Sequence, residues 1–162
     1  MTENKQMNES ELKGFSINLI ENAEICYFTT INGEGFPVTR AIFNLRYLQQ
    51  FPNLANIFKE HAQDFMTYFT TNTSSEKVEH IKENTKVNAY YCDVQGFKGV
   101  MLSGNIEVID DTEIKKSLWQ DNWSYYYREG SGDHNDPDYY VLQLYPDKLH
   151  CWFKGNYKIS LI

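Results

Sequence analysis

From Val100 to Ile109 the chain alternates with a period of two. Val100, Leu102, Ile106 and Val108 fall on one side, and Met101, Ser103, Asn105 and Glu107 on the other. That pattern marks a strand with one face buried, and such a strand needs hydrogen-bonded neighbours. Several segments can supply them: residues 24–31 (EICYFTTI), Phe36–Leu45, Phe65–Thr71, Val87–Asp93, Tyr139–Tyr145 and Leu149–Phe153. The turn NGEG joins the first two into a hairpin. Gly96 and Gly99 punctuate the approach to Val100, and Pro146-Asp147 is expected to turn a last hairpin.

Helical spacing occurs between these runs. Residues 8–22 place Leu12, Phe15 and Leu19 on one stripe behind Asn8 or Ser10 as cap. Residues 52–62 start at Pro52, a favoured first helical position. Residues 74–84 carry Val78 and Ile81, and a fourth helix runs from Asp110 or Asp111 to about Asn122. Tyr125–Asp138 reads as a loop. The pattern predicts one domain over residues 1–162, mainly β with flanking helices, with residues 1–8 a flexible N-terminus. Six or seven antiparallel strands with short connections can close into a small barrel. A doubly wound nucleotide fold is excluded, because regular strand–helix alternation and its glycine fingerprint are missing.

Composition narrows the function. The net charge is −7, from 22 acidic and 15 basic residues, which argues against nonspecific nucleic-acid binding. No apolar run approaches the ~20 residues that span a bilayer. The opening MTENKQMNES lacks the apolar centre of a signal peptide, so a cytoplasmic protein is expected. Cys26, Cys92 and Cys151 are odd in number, widely spaced and inside expected strands, as buried free thiols would be. Asp133, His134, Asp136 and Asp138 do not have the spacing of a calcium loop and read as a solvated acidic loop.

The segment FTTNTSSEK, Phe69–Lys77, carries the most chemistry. A strand runs into small hydroxyl residues and then a helix, with Lys77 in the first turn. A helix start carries partial positive charge and favours acidic side chains. A lysine fits there if it shares an anion with the free N–H groups, and phosphate is the usual anion. Against this, Thr73-Ser74-Ser75-Glu76 also fits a capping box, which would leave Lys77 a plain surface charge. Arg40 shares a strand face with Val38 and Ile42. A guanidinium on an apolar face needs a partner, and its planar fork suits either phosphate or a carboxylate. Trp119, Trp123 and Trp152 read as core packing or as faces for a flat ligand.

Four segments in this order resemble the pyridoxamine 5′-phosphate oxidase-like superfamily of FMN-binding split barrels, in particular its general stress protein 26 branch. They are AEICYFTTINGEGFPVTRAIF, MTYFTTNTSSEKVEHIKEN, GVMLSGNIEVIDD and DPDYYVLQLYPDKLHCWF. The resemblance implies a homodimer with FMN between two barrels. It implies that Arg40 and Lys77 hold the FMN phosphate. Ala41 and Ile42 would then approach the ring through their backbone. Thr70, Thr71 and Ser75 match the hydroxyl positions, and Trp152 matches a tryptophan beside the cofactor, often the partner subunit's.

The chain departs from true pyridoxamine phosphate oxidases in three places. Glu76 stands where they carry arginine, Leu45 stands where they carry lysine, and the ending GNYKISLI lacks their substrate motif. The resemblance therefore implies a flavin-dependent oxidoreductase acting on another small molecule, with a nicotinamide donor. The alternatives are a flavin carrier or stress sensor without turnover, and a split barrel that binds haem or a deazaflavin.

Overall fold

The computed structural model describes residues 7–162. Of the polar segment 1–8 expected to be flexible, residues 1–6 lie outside the described residues, and Asn8 is the N-cap of the first helix. Asn8 Oδ1 accepts from the Glu11 N–H while Glu11 Oε2 accepts from the Asn8 N–H, a complete capping box that fixes where α1 (Glu9–Asn22) begins.

Seven strands follow: β1 (Ile25–Ile31), β2 (Pro37–Phe43), β3 (Thr67–Asn72), β4 (Lys86–Asp93), β5 (Lys98–Ile109), β6 (Tyr139–Trp152) and β7 (Asn156–Ser160). All pair antiparallel, in the order β2–β1–β4–β5–β6–β3, with β7 beside the second half of β6. The protein is thus mainly β with flanking helices, as expected from the alternation. The sheet curls but does not close. Its edge strands β2 and β3 approach each other without forming a ladder, and the seam between them is the split of the barrel.

Short helices cover the strand connections. Residues 52–61 are helical as expected, but only α2 (Ala55–Phe58) is α-helical, between two 3-10 turns. The helix α3 (Glu76–Glu83) packs on β1. Asp111 caps α4 (Thr112–Leu118) by accepting from the Ile114 N–H. This helix stops short of Asn122, and a 3-10 helix, Asp121–Tyr127, takes over and buries Trp123 and Tyr127.

Two apolar clusters fill the molecule. One lies inside the curled sheet and under α1, with Phe28, Phe69, Leu102 and Leu149 at its centre. The other, rich in aromatics, joins Leu45, Phe51, Leu54, Trp123, Tyr127 and Tyr139 behind the seam. Leu45 is a core residue of this second cluster, which explains an apolar side chain at that position.

Two sequence expectations are corrected. Pro146 and Asp147 do not turn a hairpin; β6 runs straight through them, and the last turn comes at residues 153–155, leading into β7. Pro146 lies opposite Gly104, where the β5–β6 register shifts. A bulge tolerates the missing proline N–H. Gly104 permits the close approach, since a Cβ there would sit 2.9 Å from the Tyr145 carbonyl oxygen. The capping box expected at Thr73–Glu76 is also absent. Ser75 is the N-cap of α3 without a side-chain cap bond, and the Thr73 hydroxyl instead donates to Asp138 Oδ1 at 2.6 Å.

Candidate functional site

The seam between β2 and β3 opens into a cleft of about 350 Å³. Ala41, Ile42 and Phe43 line one side, Thr70, Thr71 and Asn72 the other, with Lys77 at one end and Trp123, Tyr126 and Tyr127 forming an aromatic wall. Its position follows from the topology. Two edge strands face each other with unpaired backbone groups, so N–H and C=O donors and acceptors are available to a ligand on both sides. The Tyr127 hydroxyl donates to the Thr71 carbonyl at 3.3 Å and ties the aromatic wall to β3.

Arg40 lies beside this cleft on the inward face of β2, opposite the buried Phe28. Its Nη1 donates to Thr30 Oγ1 at 2.7 Å and to the Val38 carbonyl at 2.8 Å. These bonds fix the guanidinium plane. The other end, Nη2, is enclosed and has no hydrogen-bond partner among the described residues. The nearest anion, Glu76 Oε2, is 3.9 Å away on an exposed side chain, too far for a hydrogen bond. Burial lowers the Arg40 pKa from its ordinary value, and Glu76 offsets part of that.

Lys77 reaches the same corner from α3. Its Nζ donates to Thr71 Oγ1 at 2.8 Å, and that hydroxyl lies 3.1 Å from Ser75 Oγ. Burial and then the Arg40 charge lower the Lys77 pKa, with Glu76 acting in the opposite sense. Two cations from distant segments therefore share one corner with a single carboxylate, Glu76, which lies 3.9 Å from Arg40 without a hydrogen bond to it. At the start of α3 the Val78 N–H is taken by the Ser75 carbonyl at 2.9 Å, while the N–H groups of Glu76 and Lys77 precede the first intrahelical acceptor. Asp138 is engaged on the far side of the turn by the Thr73 hydroxyl, the Asn72 amide and the Ser74 N–H. Burial opposes its charge, but those bonds outweigh it and hold its pKa below the usual carboxylate range.

Of the eight expected site residues, Arg40, Ala41, Ile42, Thr70, Thr71, Ser75 and Lys77 cluster at the seam. Trp152 does not. It lies at the far end of β6, stacked on His150 with ring centroids 3.6 Å apart and edge-on to Tyr90. Its outward neighbours form a row across the sheet, Ala41–Tyr27–Tyr90–Met101–His150, which begins at the cleft.

Three features were not read from the sequence. His80 is buried, with Nδ1 at 2.9 Å from Thr30 Oγ1, the same oxygen that Arg40 holds. Its spacing of three from Lys77 puts both on one helix face, a signal present in the sequence. Tyr126 and Tyr127 join Trp123, already a candidate face for a flat ligand, in the wall, although Tyr125–Asp138 read as a plain loop. Arg46 is fully buried and donates to the Met66 and His61 carbonyls, with its Nη1 3.6 Å from Glu21. It braces the start of β3 and lies outside the cleft. In the acidic loop, Asp136 is buried and accepts from the Gly132 and Asp138 N–H groups. Among the described residues no group of three or more His, Cys, Asp and Glu side chains is arranged to hold a metal.

A curled antiparallel sheet that stays open along one seam, with a cleft and two cations beside it, defines a split-barrel protein. The family profile described as "Pyridoxamine 5'-phosphate oxidase like" matches residues 57–162, and the chain belongs to that family. No curated protein matches it.

Among solved structures it is similar to a Clostridium acetobutylicum protein related to general stress protein 26 of B. subtilis, of the pyridoxinephosphate oxidase family. That match has a TM-score of 0.73 and 27% identity, covering 95% of this chain and 96% of the other. A heme binding protein from Mycobacterium smegmatis shares the fold at TM-score 0.66 and 10% identity, over 96% of this chain and 60% of the other. A pyridoxamine 5'-phosphate oxidase-related, FMN binding protein from Nostoc punctiforme does so at TM-score 0.61 and 12% identity, over 91% and 84%. No described helix is long and apolar enough to cross a membrane.

Proposed function

We propose that this chain binds FMN in the cleft between β2 and β3 and serves as a cytoplasmic flavin-dependent oxidoreductase with a nicotinamide donor. The observation that carries the reading is the enclosed, unpartnered Nη2 of Arg40 beside the Lys77 ammonium. A buried donor without a partner is costly, and two adjoining cations with only Glu76 to offset them leave a net positive charge that suits an anion. A phosphate suits the corner, because Arg40, Lys77, Thr71, Ser75 and the α3 amides all offer donors.

The remaining residues suit a flat ring system. Ala41 and Ile42 would meet it through the free edge of β2, Thr70 from β3, and Trp123 and Tyr126 through aromatic faces. When bound, the isoalloxazine supplies hydride or electron transfer. The chain's own residues anchor the phosphate, orient the ring and exclude water. Among the described residues the cleft lining has no His, Cys or Met, the commoner haem-iron ligands, and offers only the rarer tyrosine, as Tyr126 and Tyr127.

Homodimerisation belongs to the same proposal. The outward row from Ala41 through Tyr27, Tyr90 and Met101 to His150, with Trp152 stacked on His150, is a largely aromatic stretch of sheet face that begins at the cleft and continues to Lys158 of β7. A second copy on that face would cover the open side of the cleft and bring its own tryptophan near it. Glu76 and Leu45 stand in place of basic residues of pyridoxamine phosphate oxidases, so the substrate is a different small molecule.

The test is titration of the purified protein with FMN, followed by anaerobic addition of NADH or NADPH. Saturable flavin binding with bleaching supports the reading. A bound flavin that neither nicotinamide reduces makes the protein a carrier or sensor. A Soret band in place of a flavin spectrum makes it a haem protein.

A further inference from the structure

The inference that follows rests on the phosphate reading of the seam. It concerns Glu76, which puts a carboxylate against the corner where the two cations meet. Its Oε2 is 3.9 Å from Arg40 Nη2 and its Oε1 is 3.8 Å from His80 Nε2. His80 Nδ1 lies 2.9 Å from Thr30 Oγ1, which accepts from Arg40 Nη1 at 2.7 Å. Arg40, Thr30 and His80 thus form a hydrogen-bonded chain that links β2, β1 and α3, with Glu76 just beyond hydrogen-bond reach of both its ends. The Thr30 hydroxyl accepts from Arg40 and still has its proton and a second lone pair for the contact with His80 Nδ1.

The charges at this corner can be counted. Arg40 and Lys77 contribute two positives and Glu76 one negative. Thr71 and Ser75 from the β3 side are uncharged. Asp138 is held behind the turn by Thr73, Asn72 and Ser74, and Glu79 and Glu83 lie exposed further along α3. The corner carries one net positive charge. A phosphate monoester carries about two negative charges above its second ionisation near pH ~6, and one below it. The doubly charged form would leave the Glu76 carboxylate facing an excess of negative charge.

We propose that Glu76 makes this site select the singly charged phosphate monoester, so that binding takes up one proton, held between the phosphate and the Glu76 carboxylate. Affinity for a phosphorylated ligand then rises as pH falls. A ligand with the same ring and no phosphate is indifferent to pH over the same range. Glu76 is a specificity-determining residue on this account, and His80 lies beside its carboxylate at 3.8 Å without a hydrogen bond to it.

The experiment measures dissociation constants of FMN and riboflavin by flavin fluorescence between pH 6 and 8. It uses wild-type protein, Glu76→Gln and His80→Asn. Uptake of one proton predicts that wild-type FMN affinity rises on the order of tenfold for each unit of pH lowered above ~6, with riboflavin flat. In Glu76→Gln the FMN curve flattens to within about twofold, and affinity at pH 8 increases on the order of tenfold as one repulsive charge is removed. In His80→Asn the pH dependence persists.

Three results overturn the proposal. A flat wild-type curve with FMN still preferred over riboflavin ends it and leaves the FMN reading standing. A flat curve in His80→Asn moves the proton to the imidazole and also ends it. Equal affinity for FMN and riboflavin at every pH ends both this proposal and the phosphate reading.

Discussion

Arg40 lowers the proton affinity of Lys77, although 37 positions separate them in the chain. One rises from the inward face of β2 and the other from the first turn of α3, and they meet at the open seam of the barrel. In the absence of an anion this proximity is a cost. Burial disfavours both charges, Arg40 adds to the cost of the Lys77 charge, and Glu76 offsets part of each.

The cost gives a stability prediction. The folded-state pKa of Lys77 is lower than its ordinary value, so in the window between the two the unfolded chain binds more protons. Its contribution opposes folding below that window and fades as pH rises through it towards 10.5. Lys77→Met is expected to raise the thermal midpoint of the ligand-free protein at pH 7 while weakening FMN binding, a trade common at binding sites. Thermal unfolding with and without FMN checks both halves.

Removing either cation should weaken FMN binding. Arg40→Ala and Lys77→Ala are each expected to cost about 1.5–3 kcal/mol, the range for a hydrogen bond to a charged group. The double variant should fall short of the sum, because the two share one anion. Isothermal titration of the three variants at fixed ionic strength measures this.

Tyr126 offers a test of the aromatic wall. It is 58% exposed yet lines the cleft, so its ring contributes little to folding. Tyr126→Ala should leave the unfolding midpoint within about 1 °C, a change too small to register a lost core contact. It should weaken FMN and riboflavin equally, by about 1 kcal/mol.

Thiol labelling checks the interior. Burial pushes the Cys26 pKa up to about 12, against weaker opposing bonds from Tyr91 and the Tyr90 backbone. Cys151 is raised as well, while Cys92 is only half-buried. A native-state reaction with a thiol reagent, read by mass spectrometry, should modify Cys92 and spare the other two until the protein unfolds.

Arg46 is expected to govern stability without touching the cleft. Its guanidinium satisfies the Met66 and His61 carbonyls and lies 4.8 Å from the centre of the Phe58 ring. Arg46→Ala strands those buried acceptors and should cost about 2–5 kcal/mol by chemical denaturation.

The sheet was legible because period-two alternation and turn residues are local signals, and the Arg40 and Lys77 candidates stood out as cations in unfavourable local settings. What escaped the sequence was long-range. Thr73 belongs to Asp138 rather than to its own helix, across 65 positions. His80 finds Thr30 across 50. Pro146 read as a turn because proline usually punctuates, and only the bulge at Gly104 makes room for it in a strand. The aromatic wall hid in a 3-10 helix, whose short repeat leaves no clear amphipathic stripe. Trp152 sits away from the seam in a single chain, and its expected role depends on a second copy.

The central claim is that the corner formed by Arg40 and Lys77 recognises phosphate. Parallel titrations with FMN and riboflavin at one pH test it most directly, because the two ligands share a ring and differ in that group alone. The account predicts that FMN binds at least tenfold more tightly, and that Arg40→Ala erases most of the difference. Equal affinity for the two, or a difference that Arg40→Ala leaves intact, would contradict it.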